Sequence, residues 1–400
     1  MSRLLNVVVT GDVDAGKSTL VGRLLFDTGS LREGAVEDVE RYCRRWGRAF
    51  EYAWLLDSFE EERAGDFTLR ATQAVIKAGD REYVFIDVPG HQELVVDMLS
   101  GASYAEAAVL VIDITRPVAE QSRRHAFLLQ FLGLTRVVVA LNKTDLADPD
   151  GDRLQRAEAE IRTCLAEVGL TPSAVIPVSA REGFGLCATS PRHTPEAGPT
   201  LLEAVGAANE PPPDQSLRFI AQDVLTLGGQ PLTVGAMVAG QVRVGDEVTA
   251  LPQGQPCRVA RIRDGMTDTR EAAAPRGIAL GFEGNVAPRG TVVAGATLPE
   301  VLEEIPVRLF FVRPTLLDQR FLVRCATQER HAHLSKVGGV WDCATLAPRA
   351  EAREAQPGDG VDALLLVDLP LAVDRRQPRS AIGRVALLAD GAICAIGMVS

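Results

Sequence analysis

The sequence predicts a doubly wound α/β domain with a mostly parallel sheet, followed by two all-β barrel domains. The chain has 400 residues, and at about 150 residues per domain this length suits two or three domains. Over residues 1–208, short apolar runs alternate with amphipathic stretches, which is typical of a parallel sheet with right-handed helical crossovers. Beyond this region, short β-like runs are separated by closely spaced glycines, a pattern that favours small barrels.

The α/β domain is predicted from buried strands and from the helices between them. Five apolar runs have the length and composition of strands buried on both faces: Leu4–Val9, Tyr83–Ile86, Ala107–Ile112, Arg136–Leu141 and Ala174–Val178. The stretches between them predict helices at Ser18–Phe26, Gln121–Leu132 and Arg153–Val168. The proline-rich segment 209–215 is expected to be a stiff linker between the α/β domain, residues 1–208, and barrels at 216–301 and 302–400.

Composition excludes several classes of protein. The longest unbroken apolar stretch, Ala107–Ile112, has six residues, whereas a membrane helix needs about 20. The run Leu4–Val9 is interrupted by Asn6 and lacks the long apolar core of a signal peptide. Seven cysteines are scattered without a C-x-x-C pair, which disfavours a zinc site or a disulfide framework. We therefore expect a cytoplasmic protein without a membrane partner, and its net charge of −11 disfavours nucleic acid as a partner.

A phosphate-binding loop is predicted directly after the first strand. Residues 11–18 fit G-x-x-x-x-G-K-[ST], in which glycines let backbone N–H groups turn towards phosphate oxygens. The helix that follows points its positive end at the same phosphates. Lys17 is expected to reach the β- and γ-phosphates and to act in catalysis, and Ser18 to bind Mg²⁺. The predicted binding residues of this segment are Gly11, Asp12, Val13, Asp14, Ala15, Gly16, Lys17, Ser18 and Thr19.

A second motif follows the apolar run Tyr83–Ile86. Asp87 stands at the end of this predicted strand, where a carboxylate can hold Mg²⁺ through water from the side opposite Ser18. Gly90 completes a D-x-x-G sequence and leaves room for its backbone N–H to approach the γ-phosphate. His91 comes next and is expected to position the attacking water. This segment therefore predicts hydrolysis of a nucleoside triphosphate.

A third motif, N-K-T-D at residues 142–145, follows the fourth apolar run. Asp145 can accept two hydrogen bonds from the N1–H and the exocyclic amine of guanine. Adenine lacks this pair of donors, so adenine would leave the carboxylate unpaired, a mismatch that can be worth about four orders of magnitude in selectivity. Lys143 can lie along the base plane, and Asn142 can tie this loop to the phosphate loop.

The last motif, Ser179-Ala180, follows the run Ala174–Val178 and can offer a backbone N–H to the guanine carbonyl. Lysine is rare in this chain, with four lysines against 38 arginines, and Lys17 and Lys143 both fall inside these motifs. Each short motif is weak evidence by itself. Together, in this order and each after a predicted strand, they predict a site for GTP with Mg²⁺.

The four motifs resemble those of the translation-factor class of GTPases. The resemblance covers the whole chain, because a linker and two β-domains follow, and the stretch 234–248 is similar to a barrel of the elongation-factor type. It implies a switch I segment at Glu62–Thr68, in which Thr68 senses Mg²⁺ and the γ-phosphate. The segment departs from the family's E-R-x-x-G-I-T at Asp66 and Phe67, where Gly-Ile is usual.

Within this class, several stretches are similar to the large GTPase subunit of bacterial sulfate adenylyltransferase. They are Val21–Thr28, Glu120–Phe127, Gly198–Glu203 and the C-terminal residues 373–376 and 396–399. This resemblance implies a regulatory subunit that couples GTP hydrolysis to adenylyl sulfate formation from ATP and sulfate. A separate small ATP-sulfurylase catalytic subunit would carry out that nucleotidyl transfer, so the expected partners are this subunit and GTP or GDP.

Two alternatives stay open. Tyr52–Asp57 resembles eukaryotic elongation factor 1-alpha, which favours a GTPase that carries aminoacyl-tRNA. The departures at Asp66 and Phe67 favour instead a divergent paralogue that drives adenylylation in a specialised sulfur pathway.

Two patterns that contain histidine are interpreted as surface features. The triplet Arg123-Arg124-His125 lies in a predicted helix and has the charge of a solvated helix face. His331 and His333 lie two residues apart in a predicted strand, so they share one face of it. No third metal ligand is evident near them in the sequence, which favours exposed residues over a metal site.

Overall fold

The computed structural model describes residues 3–57, 72–87, 105–116, 120–146, 152–190, 198–207, 216–284, 287–343, 345, 347–349, 352–377 and 380–400. The chain divides into two compact units, one of residues 1–209 with 343–345 and one of residues 210–342 with 346–400. Among the helices of the described ranges, none is both long enough and apolar enough to cross a membrane. The predicted linker 209–215 lies outside the described residues.

The first unit is built on a twisted α/β sheet. Its strands are β1 (Arg3–Gly11), β2 (Thr72–Ala78), β3 (Arg81–Asp87), β4 (Ala107–Asp113), β5 (Val137–Asn142) and β6 (Ala174–Pro177). Its helices are α1 (Lys17–Asp27), α2 (Ala35–Trp46), α3 (Trp54–Asp57), α4 (Glu120–Phe131), α5 (Asp152–Glu167) and α6 (Leu201–Ala207). The strand order is β2-β3-β1-β4-β5-β6, and every neighbouring pair is parallel except β2 with β3.

The central strands form because their side chains are apolar on both faces. Every residue of β5 is buried, and so is every residue of β4 up to Ile112, as expected for parallel strands covered by helices on both sides. The predicted doubly wound α/β domain is confirmed. The antiparallel edge strand β2 and helix α2 are not among the predicted elements, although the buried positions Ala35, Val39 and Cys43 of α2 recur every four residues.

Register brings the ends of four strands to one edge of the sheet. Val9 pairs with Asp87, Gly11 pairs with Val111, and Asp113 pairs with Asn142. Because these strands are parallel, their carboxyl ends lie side by side, and open α/β sheets bind ligands at that edge. The loop after β1 and the last residues of β3, β4 and β5 therefore meet in one place.

The second unit consists of β-strands. Its first sheet contains β7 (Arg218–Leu227), β8 (Gln230–Ala239), β10 (Glu247–Leu251), β11 (Gln255–Asp264), β12 (Thr267–Thr269), β14 (Arg276–Phe282) and β15 (Val292–Ala294). Their order is β10-β15-β7-β8-β14-β11-β12, and pairing of β10 with β11 closes six of these strands into a ring. A short ladder joins β9 (Gln241–Arg243) to β13 (Glu271–Ala273).

A closed barrel follows in the chain. Its strands are β16 (Glu300–Phe311), β18 (Phe321–Cys325), β19 (Gln328–Asp342), β21 (Asp359–Val373), β22 (Arg384–Ala389) and β23 (Ala392–Val399). They close in the order β16-β21-β19-β18-β22-β23, and β17 (Thr315–Leu316) pairs with β20 (Glu354–Ala355) beside them. The predicted all-β barrels are thus confirmed.

Within the second unit the two β-regions share packing. Ile220, Leu251 and Val292 of the first sheet belong to the same buried apolar cluster as the closed barrel. Arg218 of β7 also forms a buried ion pair with Asp374, with Nη2 and Oδ1 separated by 2.8 Å and each side chain 3% exposed. Apolar burial and this ion pair together hold the two β-regions in one unit.

Candidate nucleotide-binding site

The phosphate loop runs from the end of β1 to the start of α1. Gly16 caps α1 with a φ of +91°, a conformation that favours glycine, and a Cβ there would collide with the side-chain amide of Asn142. Asp14 also has a positive φ, of +62°. Successive turns of this kind point backbone N–H groups inward and make an anion-binding concavity at the start of a helix.

Lys17 is held inside this loop. Its Nζ donates hydrogen bonds to the carbonyl oxygens of Gly11, at 2.9 Å, and Asp12, at 2.8 Å. The side chain is buried, and burial lowers the pKa of the ammonium group, while nearby carboxylates act in the opposite direction. The single cation of the loop therefore stands where phosphate charge would most strongly favour its protonated form.

Two oxygen atoms meet beside the loop. The hydroxyl of Ser18 donates to Oδ2 of Asp87 at 2.8 Å, which joins the start of α1 to the end of β3. Hard oxygen donors of this kind suit Mg²⁺, so both residues fit the predicted metal site. The remaining predicted residues of this half of the site, Thr68, Gly90 and His91, lie outside the described residues.

Asn142 connects three segments of the site. Its Nδ2 donates to the carbonyl oxygen of Ala15 at 2.8 Å, and its Oδ1 accepts from the backbone N–H of Ala180 at 3.0 Å. The side chain is buried. The expected tie between this loop and the phosphate loop is therefore present. The N–H of Ala180, which the sequence analysis offers to guanine, is engaged with Asn142 here.

Asp145 and Ser179 are adjacent. The hydroxyl of Ser179 donates to Oδ1 of Asp145 and accepts from the backbone N–H of Glu182 at 3.1 Å. This pair of bonds fixes one carboxylate oxygen of Asp145. A carboxylate held in this way is already oriented for a ligand, which lowers the entropy lost on binding.

Asp113, which is not among the predicted site residues, holds Lys143. Lys143 has a φ of +65°, and its Nζ donates to Oδ2 of Asp113 at 2.6 Å. The backbone N–H and the hydroxyl of Thr115 both donate to the other carboxylate oxygen. Burial would raise the pKa of Asp113, but the bonds from Lys143 and Thr115 outweigh burial and lower it. Its place at the end of β4 is the signal that could have identified it.

A second group outside the predicted site residues lies around Arg23 on α1. Its Nε donates to Oδ1 of Asp27 at 2.8 Å, and its Nη1 donates to the carbonyl oxygen of Arg181 at 2.9 Å. The guanidinium also lies 4.5 Å from the ring centroid of Tyr52. The hydroxyl of Ser190 donates to Oδ2 of Asp27 at 2.8 Å. These bonds fasten the loop after β6, which carries the last motif, to the first helix.

The solvated-face interpretation of the Arg123-Arg124-His125 triplet is wrong. Arg124 and His125 are buried, and Nδ1 of His125 lies 2.8 Å from the hydroxyl of Thr10 on β1. Only Arg123 reaches the surface, where its Nη2 lies 3.1 Å from a carboxylate oxygen of Glu167. The helix α4 packs this part of the triplet against the strand that leads into the phosphate loop, so the charged pattern does not mark an outer face.

The interpretation of His331 and His333 as exposed strand residues is confirmed, since both side chains are exposed on β19. Among the described residues, no group of three or more His, Cys, Asp or Glu side chains is placed to hold a metal ion.

The loop with a buried lysine, the Ser18–Asp87 contact and the Asn142–Asp145 segment define the protein as a P-loop GTPase. Residues 2–211 match the family described as Elongation factor Tu GTP binding domain. The chain belongs to this family of elongation-factor GTPases.

Relatives named elongation factor 1-alpha extend the match beyond the nucleotide domain. The protein of Pyrobaculum islandicum is 33% identical over 99% of this chain and 94% of its own length. That of Thermococcus onnurineus is 32% identical over 99% of this chain and 97% of its own length. That of Pyrococcus furiosus is 38% identical over 62% of this chain and 58% of its own length.

These findings overturn the assignment to sulfate adenylyltransferase and the small ATP-sulfurylase subunit as partner. The relatives that match the whole chain carry the name of an elongation factor. The stretches that suggested the sulfate enzyme contain buried residues of the scaffold, namely Arg23, Arg124 and His125. Residues that pack the nucleotide domain are constrained by the fold, so they report on the class of GTPase and carry little information about its partner.

Proposed function

We propose that this chain is a GTP-hydrolysing elongation factor that carries aminoacyl-tRNA. The observation that supports this most is the extent of similarity to elongation factor 1-alpha, which covers 99% of the chain and so includes both β-regions. A protein that shared only nucleotide chemistry with elongation factors would be similar mainly over residues 2–211. Similarity through the β-regions therefore favours a shared task as well as a shared reaction.

In this proposal the phosphate loop and the start of α1 bind the phosphates of GTP. Lys17 supplies the positive charge, and the inward N–H groups of the loop bind phosphate oxygens. Ser18, Asp87 and Thr68 would hold Mg²⁺, which neutralises phosphate charge when it is bound. His91 would position the attacking water.

Guanine is recognised at the opposite end of the site. The carboxylate of Asp145 accepts from the two guanine donors, and Ser179 holds that carboxylate in place. Lys143 lies along the base, with Asp113 as its anchor. Asn142 keeps the base-binding loop and the phosphate loop at a fixed separation, because it bonds to both the phosphate loop and the loop after β6.

The nucleotide assignment is tested with Asp145→Asn. The wild-type chain should bind GTP far more tightly than ATP, and the variant should shift preference towards xanthosine nucleotides, whose base offers a carbonyl where guanine has an amine. Asp268→Asn is a matched control, because Asp268 is an exposed partner of Arg261 in the second unit. Equal affinities of the wild type for GTP and ATP in calorimetry would refute the role of Asp145.

The catalytic role of His91 is tested by kinetics. His91→Ala should lower kcat for GTP hydrolysis while leaving GTP affinity nearly unchanged, the pattern of a lost transition-state interaction. Weaker GTP binding with an unchanged kcat would contradict this role.

The carrier function is tested by protection of the aminoacyl ester. With a non-hydrolysable GTP analogue, the chain should slow spontaneous deacylation of aminoacyl-tRNA, and with GDP it should not. Deacylated tRNA is the control competitor and should compete poorly. Protection that is the same with GTP analogue, GDP and no nucleotide would exclude a GTP-controlled carrier, as would no protection with the analogue bound.

A further inference from the structure

An arginine-rich segment with exposed aromatic rings lies at the end of α2. Residues 41–48 contain four arginines and no acidic residue, although the whole chain has a net charge of −11. Every residue from 44 to 51 is exposed, and Trp46 is 61% exposed. A single exposed tryptophan is common on protein surfaces, but Trp46 belongs to a group of aromatic rings that lies among four arginines. We call residues 41–54 the arginine–tryptophan surface.

Arginines at the end of a helix can simply stabilise its C-terminus through the helix dipole, and this explanation suits Arg44 and Arg45. It does not explain Arg48, which lies beyond the last residue of α2, or the exposure of Trp46. The surface therefore contains more charge and more aromatic area than the helix end requires.

The arginines of this surface differ in their partners. Arg41 lies 3.4 Å from a carboxylate oxygen of Asp38, and Arg44 lies 3.4 Å from one of Glu40. Within the described ranges, Arg45 and Arg48 form no ion pair, and each lies instead beside a tryptophan ring. The guanidinium of Arg45 is 5.9 Å from the ring centroid of Trp46, and that of Arg48 is 5.3 Å from Trp54.

The aromatic rings form a connected group. The ring centroid of Tyr42 lies 6.3 Å from that of Trp46 and 5.0 Å from that of Trp54. Tyr42 and Trp54 are partly buried and support the group from below, whereas Trp46 is at its outer edge. Guanidinium groups and an exposed aromatic ring are the two elements that bind unpaired nucleotides, because the charges attract phosphates and the ring stacks on a base.

We propose that the arginine–tryptophan surface binds single-stranded nucleic acid, with Trp46 stacking on a base and Arg45 and Arg48 holding phosphates. Every base has a face that can stack, so this surface binds without strong sequence preference. The inference does not rest on the proposed function, since it requires neither GTP nor an aminoacyl group. An acidic protein would pair its carboxylates with the arginines, but carboxylates do not stack on the indole ring as bases do.

The test measures binding of fluorescein-labelled 12-nucleotide RNA and DNA of one mixed sequence to the full-length chain by anisotropy. We expect dissociation constants of about 1–100 µM near physiological salt. Trp46→Leu should weaken binding about 5- to 150-fold, the range for one lost stacking contact, and Trp46→Tyr should restore most of it. Tighter binding of RNA than of DNA would identify the 2′-hydroxyl as a further contact, and equal binding would assign recognition to bases and phosphates.

Arginine variants separate charge from stacking. The double variant Arg45→Ala with Arg48→Ala should lose two phosphate contacts. Each lost contact should reduce the slope of log affinity against log salt concentration by about 0.7, which gives about 1.4 in total. Arg162→Ala with Arg276→Ala is the matched control, because both arginines are exposed and ion-paired elsewhere, and it should leave the slope unchanged. Thermal unfolding and GDP binding establish that each variant is folded.

Four results would overturn the proposal. The first is that neither 12-mer binds at 100 µM, and the second is that Trp46→Leu leaves binding unchanged. The third is that a duplex of the same length binds as tightly or more tightly than the single strand. The fourth is that a polyglutamate peptide of equal charge competes completely with the 12-mer. The last result would indicate an acidic protein partner. Failure of aminoacyl-tRNA protection would leave this proposal intact, because single-stranded binding is measured without GTP and without an aminoacyl group.

Discussion

His125 should make a measurable contribution to the acid sensitivity of the nucleotide domain between pH 7 and pH 5. Its ring is buried on α4, and Nδ1 lies 2.8 Å from the hydroxyl of Thr10. The other ring nitrogen, Nε2, has no hydrogen-bond partner among the described residues. Burial, together with the nearby charges of Lys17 and Arg124, lowers the pKa of His125 to about 3. The folded domain therefore keeps this ring neutral at pH values where an exposed histidine is protonated.

The size of the effect follows from the two pKa values. In the unfolded chain the pKa of His125 should be about 6.5. Because the folded pKa is lower, the contribution to stability is complete above the unfolded pKa and is lost as pH falls towards the folded pKa. At pH 5 His125 is protonated in the unfolded state and neutral in the folded state. The free energy of unfolding is therefore lower at pH 5 than at pH 7 by about 2 kcal/mol. His125→Asn removes this titration and retains a group that can bond to Thr10.

The assay is urea unfolding of the nucleotide-free chain at pH 7, 6 and 5 and constant ionic strength. A Trp341→Phe background leaves Trp46 and Trp54, both in the first unit, as the fluorescent reporters. His125→Asn should be less stable than its parent at pH 7, and this difference should shrink by about 2 kcal/mol at pH 5. A difference that stays constant from pH 7 to pH 5 would refute the reasoning, because His125 would then not titrate differently in the two states.

Three further predictions test other contacts. Asp113→Asn should speed GDP release about fivefold in stopped-flow fluorescence, because a neutral amide holds Lys143 less firmly than a carboxylate does. Asn142→Ala should destabilise the nucleotide domain by roughly 2–4 kcal/mol in urea unfolding, since it leaves a buried donor and a buried acceptor unpaired. In a background with Trp46→Phe and Trp54→Phe, which leaves Trp341 as the reporter, Arg218→Ala should cost the second unit about 3–5 kcal/mol in unfolding, and Arg218→Met with Asp374→Leu should recover most of this loss.

Most of the phosphate-binding half of the site is predictable because its geometry is local. The loop needs glycine at the residue before α1, lysine next and a hydroxyl after it, and all three requirements fall within a few residues of chain. Gly16 shows why, since its positive φ and its closeness to Asn142 both exclude a side chain. The alternation of buried strands and helices is also local, so the α/β domain follows from the apolar runs.

The contacts that escaped prediction join residues far apart in sequence. Asp113 and Lys143 are 30 residues apart, and they meet because β4 and β5 are neighbours with Asp113 in register with Asn142. His125 and Thr10 are 115 residues apart. Apolar periodicity places a helix or a strand, but it does not specify which strands are neighbours or which polar side chains they bring together.

Burial explains why the sequence identifies the class of GTPase correctly but leads to a wrong assignment within that class. The stretches similar to the sulfate enzyme include Arg23 and His125, polar residues that the fold buries inside the domain. The opposite error concerns charge. A net charge of −11 is an average over 400 residues, so it is a poor guide to whether one part of the surface binds nucleic acid. Because charges in water are screened beyond about 10 Å, a phosphate near Arg45 and Arg48 interacts with those two residues and hardly at all with the distant acidic groups. Partner prediction should therefore rest on exposed local groups such as these.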